Sequence, residues 1–306
     1  MDKPRRIRRV SASRPTMEGA GVRLRRAFGF GDTSLTDPFL LLDDFRGEHP
    51  RDFIKGFPWH PHRGIETITY MLEGTVEHGD SMGNRGTIGA GDAQWMTAGS
   101  GIVHQEMPKP GKGGRMGGFQ LWANLPAAQK MMPPRYRDIT RADIPVVQRA
   151  DGVRIGVLCG RVDGTQGPVQ DVVIEPEYLE VSMPPGARFV HPTPPGHTVF
   201  AYLFQGQALF CDQDNPFSYE AEETAYLDLE RSPWVESEHL VLLGDGDHLV
   251  VGTEAEAARF LLISGRPLRE PVAWYGPIVM NTQDELRVAF EEYQNGTFIK
   301  TGQTAQ

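Results

Sequence analysis

"GIETITYMLEGTVEH", Gly64 to His78, decides the fold because the chain writes it twice. "GHTVFAYLFQGQALF", Gly196 to Phe210, has the same β-branched and aromatic run, with Tyr70 and Tyr202 each four residues before a closing glycine, Gly74 and Gly206. "GGFQLWANLP", from Gly117, likewise resembles "ARFLLISGRP", from Ala258, and the two pairs lie about 132 and about 141 residues apart in the same order. Two copies of one β unit explain this economically. Such runs, bounded by glycine, read as strands.

Working outward, the stretch from Ile65 to Leu125 alternates short apolar runs with turn chemistry, as in "TVEHGDSMGNRG", "TIGAGDAQWMTAGSG" and "IVHQEMP". The 35 glycines and 24 prolines fall as punctuation rather than in tracts, which predicts an all-β protein of sandwich or barrel type. "PAAQKMMPPRYRDITRADIPVVQRADG" is rich in proline and charge and reads as the connection. The expected domains are therefore 1–140 and 146–306. One helix is expected, at about 283–294: Thr282 and Glu285 form a capping-box signal, and Leu286, Ala289, Phe290 and Tyr293 share one helical face before Gly296.

With 40 acidic against 31 basic residues and a net charge of -9, the chain has no general attraction for nucleic acid or anionic membrane. No apolar run approaches a membrane span, and "MDKPRRIRRV" lacks the apolar middle of a secretory signal, so a cytoplasmic protein is expected. Cys159 and Cys211 sit singly in apolar runs and read as buried free thiols.

"FPWHPHRG" adds chemistry. In a strand, residues i and i+2 share a face, so His60 and His62 present two imidazoles together, and in "VHQEM" His104 and Glu106 do the same. If the two segments are neighbouring strands, three imidazole nitrogens and a carboxylate converge on a set that suits a divalent transition metal. A single HxH is common on solvated strands, but Glu106 lies in an apolar context where an unpaired carboxylate is costly, which gives a cation a reason to be there. Glu66, His78 and His49 are weaker candidates. Pocket walls are expected from Phe57, Trp59, Trp95, Met96 and Trp122, although strand parity lets only one of Trp95 and Met96 face inward.

Four separated motifs, "GFPWHPHRGIETITYMLEGTVEHGDSMGN", "GDAQWMTAGSGIVHQEMP", "EPVAWYGPIVMNTQDEL" and the opening "RLRRAFG" with "TDPFLLLDDFRG", resemble the pirin family of the cupin superfamily. The resemblance covers nearly the whole chain. It implies two consecutive cupin barrels (double-stranded β-helix, or jelly roll) in a monomer. In the N-terminal barrel it implies one divalent metal, Fe(II) first among Mn, Ni, Cu, Co and Zn. The family's ligands fall on His60, His62, His104 and Glu106. The second barrel is expected to have a degenerate, metal-free site, with His191 and His197 of "HPTPPGH" as loop histidines out of register.

Resemblance to pirins further implies quercetin 2,3-dioxygenase activity on a flavonol and dioxygen, with ring opening and release of carbon monoxide, and Glu106 as general base as well as ligand. The competing class is a metal-containing regulatory module that binds a protein partner, for which Arg5, Arg6, Arg8, Arg9, Arg23, Arg25 and Arg26 could form a local patch. A metal-dependent isomerase or hydrolase is a third class, since cupin barrels host many chemistries.

Overall fold

Ile65–Glu73, the strand inside the opening stretch, pairs antiparallel with Gly117–Asn124 on one side and Ala93–Thr97 on the other. The computed structural model describes residues 3–222 and 231–300. Seven strands run in the order Arg135–Ile139, Ala93–Thr97, Ile65–Glu73, Gly117–Asn124, Phe39–Asp44, Val22–Phe28, Arg14–Glu18. Four more form a second sheet in the order Phe57–His62, Ile102–Lys109, Thr75–Asp80, Arg85–Ile88. Val22, Leu24 and Met71 of the first sheet bury against Val76 and Ile88 of the second, so the two sheets close over a shared apolar core.

The repeat is real in three dimensions. Thr198–Phe210 pairs with Ala258–Gly265 as Ile65–Glu73 pairs with Gly117–Asn124. The register refines the sequence likeness by one residue: Tyr70 faces Phe119, whereas Tyr202 faces Leu261, which places Leu262 rather than Leu261 in the position of Gln120. Val199, Ala201, Leu203, Phe260 and Leu262 alternate into one core, while Phe200, Tyr202, Leu261 and Ile263 between them are fully buried as well, so both faces of this strand pair are covered.

The expected domain limits need correction at both ends. One unit comprises 14–141 with 268–306, and the other comprises 1–13 with 142–267. Each barrel thus takes in a terminal segment from the far end of the chain. The cause is local: Ile7–Ala12 pairs antiparallel with His239–Leu243 and buries Ile7 and Val10 beside Val241 and Leu243, at about 1.5–3 kcal/mol for each fully buried side chain of that size.

The helix forms at Gln283–Gln294, with the Thr282 side chain accepting from the Glu285 amide and Glu285 returning the bond. It belongs to the 14–141 unit, not to the barrel that precedes it in sequence. Leu286 and Ala289 are buried against Ala273, Ile278, Met280 and Phe298, while Tyr293 of the expected apolar face is exposed. Among the described residues, no helix is long and apolar enough to cross a membrane. Neither cysteine forms a disulfide, and burial pushes the Cys211 thiol up to about 12.

Arg5 and Arg26 do not belong to a surface patch. Arg5 is buried and donates to Thr193 Oγ1, Gly244 O and Pro194 O. Arg26 forks onto Asp43 with two bonds of 2.8 Å and also meets Glu18. These side chains are anchors inside their own units.

Candidate metal centre

Phe57–His62 and Ile102–Lys109 are antiparallel neighbours, and the register sets His60 directly opposite His104. His62 joins them by strand alternation. The three rings stand 4.4 to 4.9 Å apart between centroids, and one nitrogen from each lies within 4.8 Å of the others.

The hydrogen-bond network decides which nitrogens are free. His60 Nδ1 lies 2.8 Å from Pro58 O, and His62 Nδ1 lies 3.1 Å from Pro277 O. A carbonyl only accepts, so each Nδ1 carries the proton and each Nε2 offers a lone pair. Those two Nε2 atoms face each other at 3.1 Å. Two lone pairs at that separation repel unless a cation or a proton sits between them. His104 is fully buried, and neither of its ring nitrogens has a partner. Buried orphaned polar atoms are costly, and a shared cation would take up one lone pair from each of the three rings.

Burial, reinforced by the neighbouring histidines, holds His62 and His104 well below the usual imidazole range. At neutral pH both are in the form that binds metal. The residues present therefore fit a divalent transition metal bound by imidazole.

Glu106 is placed differently from expectation. It is buried and on the same side as His104, but its carboxylate is bonded to Gln120 Nε2 at 3.0 and 3.3 Å and to Thr69 Oγ1 at 3.3 Å. The cluster that converges holds three histidines and no carboxylate. A shift of register between His104 and Glu106 breaks the even pairing with Phe57–His62 at this point.

The weaker candidates stay outside. Glu66 is buried and accepts from Thr97 Oγ1 at 2.6 Å. His78 stands beside the cluster, its ring 5.4 Å from that of His104, and is occupied by Asp80 at 3.3 Å and by stacking on Tyr136. His49 is exposed on a short 3-10 turn. In the second barrel His191 is not a loop residue: it lies in the Arg188–Pro192 strand, buried, with Nε2 2.8 Å from Glu177.

A cavity of about 590 Å³ opens onto His60 and His62. Phe57, Trp59 and Trp122 line it as expected, with Trp59 54% exposed at the rim. Trp95 and Met96 do not: both are buried in the sheet, Met96 among Leu40, Ile65 and Ile102. Phe30, Leu41, Gln120 and Trp274 add to the wall, and the charged Glu18, Arg26 and Asp43 line it as well. Trp274 packs tilted against Phe30 at 5.3 Å and against Trp122 at 5.9 Å between ring centroids, and Trp122 in turn meets His62 edge-on at 5.0 Å. The result is an aromatic slot ending at two imidazoles. "EPVAWYG" contained the signal, an aromatic pair closed by glycine outside either repeat copy.

Comparison with known proteins agrees with this architecture. The Pirin family profile matches residues 21–123, and the profile of the pirin C-terminal cupin domain matches 178–299. A Pseudomonas aeruginosa protein provisionally named quercetin 2,3-dioxygenase is 40% identical over 300 residues, spanning 97% of this chain and 99% of that one. Human pirin is 38% identical over 285 residues, covering 92% and 90%. A crystal structure of quercetin 2,3-dioxygenase from Acinetobacter baumannii superposes with a TM-score of 0.83 at 30% identity, covering 96% and 98%.

Proposed function

This chain belongs to the pirin family, and from that premise we infer that it is a metal-dependent dioxygenase of flavonols such as quercetin. One observation carries the reading: two Nε2 lone pairs 3.1 Å apart lie at the end of an aromatic slot, with the partnerless His104 ring 4.4 and 4.9 Å from theirs. His60, His62 and His104 hold one divalent metal, and Glu106 joins them by turning from Gln120. Iron(II) heads the candidates, with manganese, nickel, copper, cobalt and zinc suited to the same donors. When bound, such a metal supplies Lewis acidity toward a flavonol oxygen and, if redox-active, a means of engaging dioxygen.

The chain's own residues do the rest. Trp122, Trp274 and Phe30, packed against one another, form one aromatic wall on which the fused rings of a flat substrate lie, and Phe57 and Trp59 line the cavity beside it. Glu106, hydrogen-bonded to Gln120, accepts the 3-hydroxyl proton as general base. Dioxygen then cleaves the activated ring, with both oxygen atoms retained in the product and one ring carbon leaving as carbon monoxide.

The test combines metal analysis with oxygen uptake in the presence of quercetin. Wild type should carry close to one metal per chain and consume oxygen only with flavonol; His104→Ala should lose both properties, and Glu106→Ala should lose most of the uptake. Bound metal with no turnover of any flavonol would replace this reading with the regulatory module. Protein purified without chelators that holds no metal and takes none up would refute it outright.

A further inference from the structure

The Glu106 carboxylate has a seat of its own away from the histidines, and that seat has an internal structure. Gln120 and Trp122 alternate onto one face of Gly117–Asn124, and Thr69 lies directly across the strand pair from Gln120. Trp122 Nε1, which can only donate, gives its proton to Gln120 Oε1 at 3.1 Å. The amide nitrogen of Gln120 is thereby aimed at Glu106, where it reaches both carboxylate oxygens. No flipped amide satisfies both neighbours, since the indole cannot accept and the carboxylate cannot donate. The arrangement runs unbroken from a wall of the substrate cavity, Trp122, to the buried carboxylate.

Packing does not lock the carboxylate in place. A small cavity of about 20 Å³ borders it, walled by Leu24, Phe45, Val76 and Met116 and large enough for about one water. Glu106 is held by hydrogen bonds, and hydrogen bonds can be exchanged for a metal bond.

We propose that Gln120 is a positioning residue that competes with the metal for Glu106: with Trp122 fixing its amide, it keeps the carboxylate parked off the three-histidine site and makes Glu106 a labile fourth ligand. The proposal rests on the metal-centre reading above. It also reconciles the two roles given to Glu106, because a carboxylate with a second seat can leave the metal to take a proton and return.

The sign of one measurement tests it. Cobalt(II) affinity is read by competition with a chromophoric chelator, with the visible spectrum of the cobalt-loaded protein reporting donor set and coordination number. Removing the competing seat in Gln120→Leu should tighten cobalt binding roughly tenfold, the size of one charge-assisted hydrogen bond, and shift the spectrum toward full carboxylate ligation. Gln120→Asn, too short to reach, should act in the same direction and guards against a folding defect in the leucine variant. In a Glu106→Gln background neither change should alter affinity. If Gln120 merely steadies a carboxylate already on the metal, its loss weakens binding about 10- to 100-fold instead, and that result, or unchanged affinity, overturns the proposal while leaving the metal centre standing. A wild-type protein that binds no cobalt overturns both.

Discussion

Arg63, one residue beyond His62, is the side chain on which the site most depends without belonging to it. It is 2% exposed and spends every face of its guanidinium: Nε donates to Ser100 O at 2.8 Å, Nη2 to Phe298 O at 2.9 Å, Nη1 meets Glu292 at 2.8 Å, and the plane lies 4.2 Å above the Phe298 ring. Breaking a buried ion pair from one side costs about 3–5 kcal/mol. Glu292 is partly solvated and keeps Lys300 at 2.7 Å, so Arg63→Met belongs at the lower end, about 3 kcal/mol, most of it from two orphaned carbonyls and the lost stack. For a unit of this size each kcal/mol lowers Tm by about 2–4 °C, so calorimetry should show a drop of roughly 6–12 °C. The site should follow, because Pro277 O, which orients the His62 ring, lies in the C-terminal segment that Arg63 holds, and loss of an orienting contact weakens metal binding about 10- to 100-fold. Arg63→Lys keeps the charge without the fork and should recover less than half of the stability. A loss below about 1 kcal/mol, or full rescue by lysine, would refute the reasoning.

Two further outcomes follow from the same neighbourhood. Lys130 is buried, and in its charged form it donates to Gly64 O, Asn124 Oδ1 and Val279 O at 2.6 to 3.1 Å, while burial lowers its pKa from 10.5 to about 7. Between those two values the unfolded chain holds a proton that the folded chain has released, so wild-type stability should rise with pH by up to about 1.4 kcal/mol per unit relative to Lys130→Met, and lose that gain as pH falls toward 7; urea unfolding of both proteins at pH 7 and pH 9 checks it, and a pH-independent difference would sink it. Gly64 sits at φ +79°, and a Cβ there would lie 2.0 Å from Val279 O, whereas Gly83, at φ +90°, has open space around it. Gly64→Ala should cost more than about 4 kcal/mol by urea titration and Gly83→Ala only about 1–2; equal losses would show that the backbone conformation, not the close approach, sets the cost.

The three histidines were legible because strand alternation is a rule of period two: His60 and His62 must share a face, and only the pairing with His104 had to be supplied by the fold. Glu106 shows where that rule stops. Alternation fixes the side from which a carboxylate emerges, but its torsions answer to Thr69 and Gln120, residues far away in sequence whose hydrogen bonds no local pattern encodes. Trp95 and Met96 failed as wall residues because both faces of an inner strand are buried, so apolar character could not say which face meets the cavity. Trp274 was missed for a topological reason. Residues 268–306 belong to the unit of 14–141, and chain order conceals that assignment.

The second barrel shows what the first has spent on its site. Where Thr69 faces Gln120 in one, Ala201 faces Leu262 in the other, and the place of His78 in the repeat is taken by Phe210. At the spacing of the repeat, His60 and His62 give way to Pro192 and Pro194. Phe189 and Phe210 pack edge-on against Phe260 at 5.9 and 5.7 Å. A buried polar group is stable only when its partner is present, so exchanging such a set for apolar side chains must involve the whole constellation. The second barrel keeps a buried imidazole only where a carboxylate meets it, His191 against Glu177 at 2.8 Å, so a histidine restored there alone would need such a partner of its own.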